Sequence, residues 1–404
     1  MSVTRFEAGC PQFAGIIWEI PKSYNSPEKK NKRIRGTLVL DIDGTLTKPN
    51  DPYEIENDAI KVLGDFLEGG GNLVFCTGAT LGRIERTVLI PLYQHIKEKV
   101  GKDEVQNLFT NVIIMPENGS ALLLNKRILI EENELKFDWY KLHELHVPNK
   151  KELAKVVREE LMKLVPDSAI AGDESDSQGQ RDYILSWKKV CPMISQKTEG
   201  YRTTREWVEY IREEIIPNHP EIDWSKVAIK AARTTIDFVH ADSGKTISVQ
   251  WLLKEIAGLD GPVIGFGDLG DEFAKVIPTF NVNAQNPNEF RLRGNLPAMD
   301  LYGYWQLVED NKYTITGLPP NQKVRDIETD EEIQVVRAGK GEIVFAIRTS
   351  DGILSAASAD DGYPIKIMPA KDKDGEEIKG AGKGTAWLIR RLIEVRYFSS
   401  FSAK

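Results

Sequence analysis

The chain has 404 residues, enough for two or three domains, and its 41% hydrophobic and 28% charged residues are ordinary for a globular protein. No apolar run is long enough to span a membrane, and the N-terminal stretch lacks the basic-then-apolar order of a secretory signal. A net charge of −8 argues against non-specific nucleic-acid binding, and three widely spaced cysteines argue against a disulfide framework or a zinc site. Composition therefore favours a protein of the reducing cytoplasm, with neither nucleic acid nor membrane as a partner.

Residues 1–35 are predicted to form an N-terminal extension that ends in a polar, basic surface linker, SYNSPEKKNKRIR. The stretch Thr37–Thr47, TLVLDIDGTLT, follows it and begins with a short apolar run typical of a buried strand in a parallel sheet. Asp41 and Asp43 stand at the carboxyl end of this strand. Since open α/β folds bind their ligands at that edge of the sheet, a site is predicted there.

Two carboxylates at this spacing can take different chemical roles. One can attack an electrophile while the other handles protons. Together, Asp41 and Asp43 would repel an anionic substrate unless a cation lay between them, and hard oxygen ligands with room for water indicate Mg²⁺. Gly44 lets the chain turn sharply and brings backbone N–H groups close to a ligand. The alternative is an ordinary acidic turn after a strand, because Asp-Gly is common turn chemistry.

The elements that follow alternate between helix and strand, which predicts a right-handed parallel unit. In chain order they are a loop at Lys48–Tyr53, a helix with apolar positions at Ile60, Val62, Leu63, Phe66 and Leu67 that ends at Gly69, a strand at Asn72–Cys76, and a long helix at Thr80–Val100 interrupted by Pro91. Between that strand and that helix, Thr77 is predicted to offer its hydroxyl and its backbone N–H to a phosphate. The alternative is that Thr77 only caps the helix.

A further strand, Asn111–Met115, ends in the turn Glu117-Asn118-Gly119. Asn-Gly suits a tight hairpin turn with positive φ. Alternating runs at Ala121–Leu124 and Arg127–Ile130 fit a hairpin that leads into the next region.

From there to about Ala241 the pattern predicts a separate α/β unit. Its predicted elements are helices at Lys150–Leu164 and Thr203–Ile216 and strands at Arg181–Val190, Lys226–Lys230 and Thr234–His240. Two helices on a small antiparallel sheet would form a lid that leaves space for a small soluble substrate. Arg181, Lys230 and Arg233 are candidate substrate contacts, although an exposed strand charge is the alternative for each. His143 and His146 are three residues apart, but no nearby residue completes a metal set.

The chain then returns to strand and helix patterns. Gly244-Lys245 opens an amphipathic segment at Thr246–Ile256, and the apolar run from Val263 ends in G-D-x-x-D, with acids at Asp268 and Asp271. A last strand of this part is predicted at Thr279–Ala284.

The last hundred residues are rich in short β-like runs and predict a small β domain. These runs are Tyr313–Ile315, Val324–Ile327, Glu332–Val336, Ile343–Ile347 and Ile365–Ile367, followed by a loop at Lys371–Lys383 and a helix at Thr385–Val395. The Gly-Lys-Gly-Thr stretch at Lys383 is not a phosphate loop, because Gly and not Ser or Thr follows the lysine and the first glycine would fall at Glu377. Carbohydrate binding, a dimer contact that would make a homo-oligomer, and bracing of the core stay open.

Four of these motifs, in this order, resemble those of the haloacid dehalogenase-like superfamily of aspartate-nucleophile phosphatases. The matching stretches are DIDGTLT from Asp41, LVFCTG from Leu73, Gly244-Lys245, and VIGFGDLGD from Val263. The Glu-Asn-Gly turn resembles that of the type with a large α/β cap inserted between the second and third motifs, subfamily IIB, which includes Cof-like and sugar-phosphatase-like proteins. The resemblance covers roughly Gly36 to Arg293.

The resemblance implies a doubly wound parallel-sheet α/β core with an inserted α/β cap, and the pattern of short β-like runs adds a β-rich C-terminal domain. The expected boundaries are an extension at residues 1–35, the core at 36–120 and 241–300, the cap at 121–240 and the C-terminal domain at 301–404.

The resemblance also implies a role for each motif residue. Catalytic roles fall to Asp41, Asp43, Thr77 and Lys245, a magnesium site to Asp41, Asp43, Asp268 and Asp271, and substrate binding to Gly44 and Gly78. Arg181 and Arg233 are added as substrate contacts because they are cations of the predicted cap. Many relatives carry Arg directly after Thr-Gly. This chain has Ala79 there, so that substrate contact is missing or is supplied by Arg83 or Arg86.

The activity implied is Mg²⁺-dependent hydrolysis of a small phosphate monoester, a sugar phosphate by resemblance to relatives with this cap, through an aspartyl-phosphate. A phosphomutase of the phosphomannomutase type shares DxDGTLT and the Glu-Asn-Gly turn, but Thr77-Gly78 and the short acidic motif after Gly267 fit it less well. A non-enzymatic protein that binds a phospho-ligand fits less well again, because every acid of the site is present.

Overall fold

The structure is a computed structural model. It describes residues 34–48, 51–131, 134–164, 185–187, 192–195, 204–231, 235–255, 259, 261–268, 276–277, 279–282, 289–293, 324–325, 332–333, 344–349, 352–357, 363–366, 381–394 and 398. The predictions for the N-terminal extension, the strand at Tyr313–Ile315 and the loop at Lys371–Lys383 therefore lie outside the part that is described, apart from the last two residues of the extension and the end of that loop.

The described helices, in chain order, are α1 Asn57–Glu68, α2 Leu81–Ile84, α3 Ile90–Val100, α4 Lys102–Leu108, α5 Lys150–Met162, α6 Thr204–Tyr210, α7 Ile216–Asn218, α8 Lys245–Glu255 and α9 Ala381–Glu394. The described strands are β1 Thr37–Leu40, β2 Thr47–Lys48, β3 Asp51–Ile55, β4 Asn72–Cys76, β5 Val112–Met115, β6 Ala121–Glu131, β7 Glu134–Glu144, β8 Leu185–Trp187, β9 Pro192–Ser195, β10 Val227–Ala231, β11 Thr235–His240, β12 Val263–Asp268, β13 Thr279–Val282, β14 Glu289–Arg293, β15 Val324–Arg325, β16 Glu332–Ile333, β17 Val344–Thr349, β18 Gly352–Ala357 and β19 Tyr363–Lys366.

A nine-stranded sheet forms the core, in the order β19-β14-β13-β12-β1-β4-β5-β6-β7. Its five central strands, β13, β12, β1, β4 and β5, run parallel, and antiparallel strands flank them on both sides. All four residues of β1 are fully buried, because the strand is covered on both faces. The predicted doubly wound α/β core is confirmed.

Successive side chains of a strand point to opposite faces of the sheet, so successive residues of the central strands belong to two different apolar layers. Leu38 and Phe75 pack with the helices α1, α3, α4 and α9 on one face. Val39 and Val74 pack with Val249 and the rest of α8 on the other face. Because β1, β4 and β12 are neighbours and run parallel, their carboxyl ends meet at one edge of the sheet.

The C-terminal part of the chain contributes to this core. Helix α9 packs against α1, and the rings of Phe66 and Phe398 meet edge to face with centroids 5.0 Å apart. Strand β19 pairs with β14 at the edge of the main sheet. Three roles were left open for the last hundred residues. The contacts of α9 with α1 and of β19 with β14 support one of them, bracing of the core. The predicted terminal helix is confirmed, whereas the strand β18 was not predicted.

Two prolines shape the helices. The predicted helix at Thr80–Val100 is divided into α2, a π-helical segment at Glu85–Leu89, and α3. Pro91 has no N–H and its ring would clash with the carbonyl four residues earlier, so the turn before it widens. The same offset recurs where the π-helical segment Ile211–Ile215 precedes Pro217.

Three local features differ from the sequence prediction or refine it. The predicted loop at Lys48–Tyr53 is a small hairpin of β2 and β3, and helix α4 was not predicted. The two predicted runs after Gly119 belong to one long strand, β6, which pairs with β5 and β7 and so extends the core sheet. Its bulges near Leu122 and Asn125 explain why the alternating pattern is interrupted.

A second unit, here called the inserted unit, consists of α5, β8, β9, α6, α7, β10 and β11. Its sheet is antiparallel in the order β10-β11-β9-β8, and its helices pack on one face through Trp207, Ile211, Ile215 and Phe238. The predicted architecture of two helical segments on a small antiparallel sheet is thus observed. Among the described helices, none combines the length and the apolar character that crossing a membrane would require.

Candidate active site

Asp41 is the first residue after β1, and the residue is buried. Its backbone N–H donates to the carbonyl of Phe266 on the adjacent strand β12 at 2.8 Å, which fixes the residue at the end of the parallel ladder. The Oδ1 atom accepts the N–H of Ile42 at 2.8 Å. A buried carboxylate is thereby held at the edge of the sheet where three parallel strands end.

The amino group of Lys245 lies 3.1 Å from Oδ2 of Asp41. Lys245 is the first residue of α8, and the side chains of both partners are largely buried, at 14% and 7% exposure. Low exposure strengthens the attraction between these charges relative to a surface pair. The structure therefore brings a residue of the first motif next to one of the third and places a cation beside the Asp41 carboxylate.

Thr77 follows β4, next to β1, and is fully buried. Its backbone N–H donates to the carbonyl of Met115 at 3.1 Å, so the prediction that this N–H points to a phosphate does not match the structure. Its Oγ1 accepts the N–H of Ala79 at 3.3 Å, which leaves the hydroxyl proton able to donate elsewhere. The hydroxyl is thus the group of Thr77 that can hold an anion.

The two glycines of the first and second motifs differ in their surroundings. Gly44 has φ of 69° and donates its N–H to the hydroxyl of Thr47 at 3.3 Å, which closes the turn after Asp43. A Cβ at Gly78 would lie 3.3 Å from the Oδ1 of Asn118, tighter than a comfortable contact. Gly78 therefore permits a close approach of the loop after β4 to the Glu117–Gly119 turn.

Asp43 is half-buried and forms a two-pronged ion pair with Arg83 on α2. The guanidinium also stacks over the ring of Tyr53, with 4.7 Å to the centroid. Desolvation in the cleft raises the pKa of Asp43 above its ordinary value; Arg83 opposes this rise and the Asp41 carboxylate adds to it. Arg83 was one of two candidates for the missing substrate contact, and the structure places it on the second acid instead.

Two of the four predicted magnesium ligands are described with their side chains, Asp41 and Asp43. Asp268 ends β12, directly beside β1, so its backbone lies at the same edge of the sheet; its side chain and all of Asp271 lie outside the described residues. Within the described part, no three His, Cys, Asp or Glu residues are grouped as a metal site. The donors present are carboxylate oxygens at one sheet edge, which fits the ligand preference of Mg²⁺.

The inserted unit reaches this site through Asp237 on β11, whose side chain is 5% exposed. Its Oδ2 accepts a hydrogen bond from the Asn118 amide at 2.6 Å. Neither residue was singled out from the sequence as part of the site, although the Glu-Asn-Gly turn was the signal that could have found one of them. The predicted contacts Arg181 and Arg233 lie outside the described residues.

Comparisons with known proteins find similarity in structure alone. No protein-family model and no curated protein matches the chain. A Plasmodium falciparum IMP-nucleotidase has a TM-score of 0.40 and 17% identity over 63% of this chain and 65% of its own. A haloacid dehalogenase subclass IIB sugar phosphatase has a TM-score of 0.35 and 14% identity over 58% of this chain and 80% of its own. A haloacid dehalogenase-like hydrolase from Bacteroides thetaiotaomicron has a TM-score of 0.36 and 20% identity over 58% and 81%.

At these scores the matches themselves decide nothing about chemistry. The features that bear on chemistry are the parallel order β13-β12-β1-β4-β5, Asp41 and Asp43 after the central strand, and Thr77 and Lys245 beside them. By the residues and the order of its motifs, the chain resembles the haloacid dehalogenase-like superfamily.

Proposed function

We propose that the protein is a Mg²⁺-dependent phosphatase that hydrolyses a small phosphate monoester, a sugar phosphate, through an aspartyl-phosphate. The observation that carries this proposal is the buried pair of Asp41 and Lys245, with 3.1 Å between Oδ2 and the amino group, at the end of the central strand. A carboxylate beside a fixed cation suits attack on a phosphate, since the cation offsets the repulsion between two anions.

In the proposed reaction, Asp41 attacks phosphorus in line and forms the aspartyl-phosphate. Asp43 gives a proton to the leaving oxygen and later removes one from the attacking water. Arg83 and Tyr53 fix the Asp43 carboxyl beside Asp41, which keeps it within reach of both steps. The nucleophile, Asp41, and the proton carrier, Asp43, are thus two residues apart in the sequence.

The phosphate oxygens are held by Lys245 and by the hydroxyl of Thr77, with Gly44 and Gly78 allowing close approach of the backbone. Asp41, the backbone carbonyl of Asp43, Asp268 and Asp271 would hold Mg²⁺, which supplies positive charge against the developing charge on the phosphate. Such neutralisation is needed because phosphate monoesters hydrolyse extremely slowly without it.

Substrate choice is proposed to lie in the inserted unit acting as a cap, with Arg181 and Arg233 as contacts. The preference for a sugar phosphate follows from the resemblance to phosphatases with this cap type. The proposed setting is the cytoplasm, since it is consistent with few cysteines.

A panel of phosphate esters tests the proposal. Purified protein with Mg²⁺ is expected to release inorganic phosphate from at least one small sugar phosphate, to lose this activity in excess chelator and to regain it with Mg²⁺. Ca²⁺ should substitute poorly, because it takes more ligands at longer distances and would spoil the in-line geometry. Full activity in chelator would contradict the metal assignment, and conversion of one sugar phosphate into another without free phosphate would identify a mutase.

A further inference from the structure

The Glu117–Gly119 turn has an uncommon backbone. Its three residues have φ of 50°, 58° and 77°, in the left-handed region that residues with a Cβ rarely adopt. Outside this turn, Asn149 is the one other described residue besides glycine with positive φ. Such a conformation persists where surrounding contacts hold it, and clusters at functional sites.

The first set of contacts joins the turn to the loop that carries Thr77. The N–H of Asn118 donates to the carbonyl of Thr77 at 2.8 Å, and the N–H of Glu117 donates to the carbonyl of Ala79 at 2.9 Å. The Asn118 amide also abuts Gly78, where a Cβ would lie 3.3 Å away. The turn therefore fixes the backbone on both sides of Gly78.

The second set joins the turn to helix α8, which begins with Lys245. The hydroxyl of Ser248, one turn further along α8, donates to the carbonyl of Gly119 at 2.7 Å. A Cβ at Gly119 would lie 3.1 Å from the carbonyl oxygen of Gly244 and would overlap Ser248. The start of α8, and with it the backbone of Lys245, is seated directly on the turn.

The third contact comes from the inserted unit. Asp237 is a carboxylate with 5% exposure, and such a group needs donors to offset its desolvation. The Asn118 amide supplies one at 2.6 Å, across 119 positions of sequence. Lys230 lies opposite Asp237 on β10 and so shares its face of the sheet. The inserted unit thus binds Asn118, the residue with left-handed backbone that also contacts the loop of Thr77.

We infer that Asn118 and Asp237 are positioning residues for the phosphate site: Asp237 holds Asn118, and the turn holds the Thr77 loop and the start of α8. This inference rests on the proposed function for its consequence in catalysis. Asp237 belongs to the inserted unit, but it acts on the shared chemistry. Its loss therefore weakens turnover of every phosphate ester, in contrast to a residue that recognises one substrate.

The experiment uses variants that separate the side-chain contact from the backbone. Asn118→Gly removes the amide and keeps positive φ accessible. Asp237→Ala removes the acceptor, and Asp237→Asn keeps a carbonyl oxygen that can accept. Asn149→Gly is the matched control, because Asn149 has the same backbone conformation (φ of 50°) in the exposed turn before α5.

The expected result on a generic aryl phosphate is a loss of roughly tenfold in kcat/KM for Asn118→Gly and for Asp237→Ala, as for one charge-assisted hydrogen bond. The double variant should lose no more than the worse single one, because both remove the same contact. Asp237→Asn should lose less than Asp237→Ala, because its carbonyl oxygen still accepts from Asn118 without the charge, and Asn149→Gly should stay close to wild type. Fully additive losses, or no loss in either single variant, would overturn the inference.

Amide hydrogen exchange provides a readout that does not need activity. In Asp237→Ala the amides of Glu117 and Asn118 should exchange faster than in wild type, since their acceptors on the Thr77 loop are no longer held in register. If these two amides exchanged in Asp237→Ala at the wild-type rate, the inference would be overturned, whatever the thermal stability of the variant. If the wild-type protein hydrolysed no ester, the proposed function would fail, while the exchange result would still decide whether Asp237 holds the turn.

Discussion

At the level of single residues, the site depends on a few charges with assigned partners. Lys245 faces Asp41, and Arg83 faces Asp43, so each acid has its own cation. The first pair is the more buried, and removal of one partner from a buried pair leaves an uncompensated charge. The consequences of changing Lys245 should therefore be much larger than those of changing a lysine on the surface.

Lys245→Ala is expected to lower kcat/KM by about 10²–10³ on every phosphate ester, as when one preorganised group that stabilises the transition state is removed. Lys254→Ala is the matched control, because Lys254 is exposed on the same helix. Phosphate release from a sugar phosphate and from an aryl phosphate measures both variants, with thermal unfolding to verify the fold. If kcat/KM fell by the same factor in both variants, Lys245 would have no specific role at the phosphate site.

At the level of elements, a polar cluster ties the helices of the inserted unit together. His219, after α7, lies 3.1 Å from Glu160 of α5 and 2.8 Å from Glu221. Hydrogen bonds to Glu160 first, and then to Glu221, raise the pKa of His219 above its ordinary 6.5. The pKa values of Glu160 and Glu221 lie below their ordinary 4.5, mainly through Lys163 and His219 respectively.

The sign of the pH dependence follows from these shifts. A raised histidine pKa gives stability that is fully present below pH 6.5 and lost as the pH rises through the folded-state pKa. The lowered glutamate pKa values give stability that is present above pH 4.5 and lost at more acid pH. Wild type should therefore be thermally more stable than His219→Gln mainly between pH 4.5 and the folded-state pKa of His219, which lies above 6.5. Thermal unfolding of both proteins from pH 4 to pH 9 tests this, and a constant difference would contradict it.

The elements also show what a sequence can predict. The apolar spacing of α1 and the four-residue strand β1 bury the residues expected, because periodicity follows directly from the geometry of helix and strand. The π-helical turns before Pro91 and Pro217 were not expected, since they arise from ring clashes within the helix. The β2–β3 hairpin was missed because Pro and Asn in a short stretch indicate a loop.

At the level of the whole molecule, two α/β units meet at the site. The core supplies Asp41 and Thr77 from the ends of two strands and Lys245 from the start of α8, and the inserted unit supplies Asp237. The first three were expected from the resemblance of their motifs to those of the haloacid dehalogenase-like superfamily. Asp237 could not be predicted in this way, since a carboxylate in an amphipathic strand carries no signal of what covers it. The same holds for the packing of α9 on α1, which depends on a contact across the whole chain.

If the core carries out the chemistry and the inserted unit selects the substrate, variants of the two units should differ in which substrates they affect. Arg181→Ala and Arg233→Ala should cost roughly 1–3 kcal/mol in kcat/KM for the preferred ester, if each removes a charge-assisted contact, and should barely affect an aryl phosphate. Lys245→Ala and Asp268→Ala should impair both substrates. Steady-state kinetics on the four variants decides. Equal losses on both substrates in the arginine variants would place these residues in the chemistry or the fold, and specificity elsewhere.

Nucleophilic attack by Asp41 on phosphorus is tested by the variant Asp41→Asn. The amide keeps the shape of the side chain but is a poor nucleophile. With the best ester from the panel and with Mg²⁺ present, the measurement is the rate of phosphate release by Asp41→Asn relative to wild type, alongside its circular dichroism and thermal unfolding. The expected result is a folded protein with no measurable turnover. A folded Asp41→Asn protein that kept most of the wild-type rate would contradict the covalent mechanism.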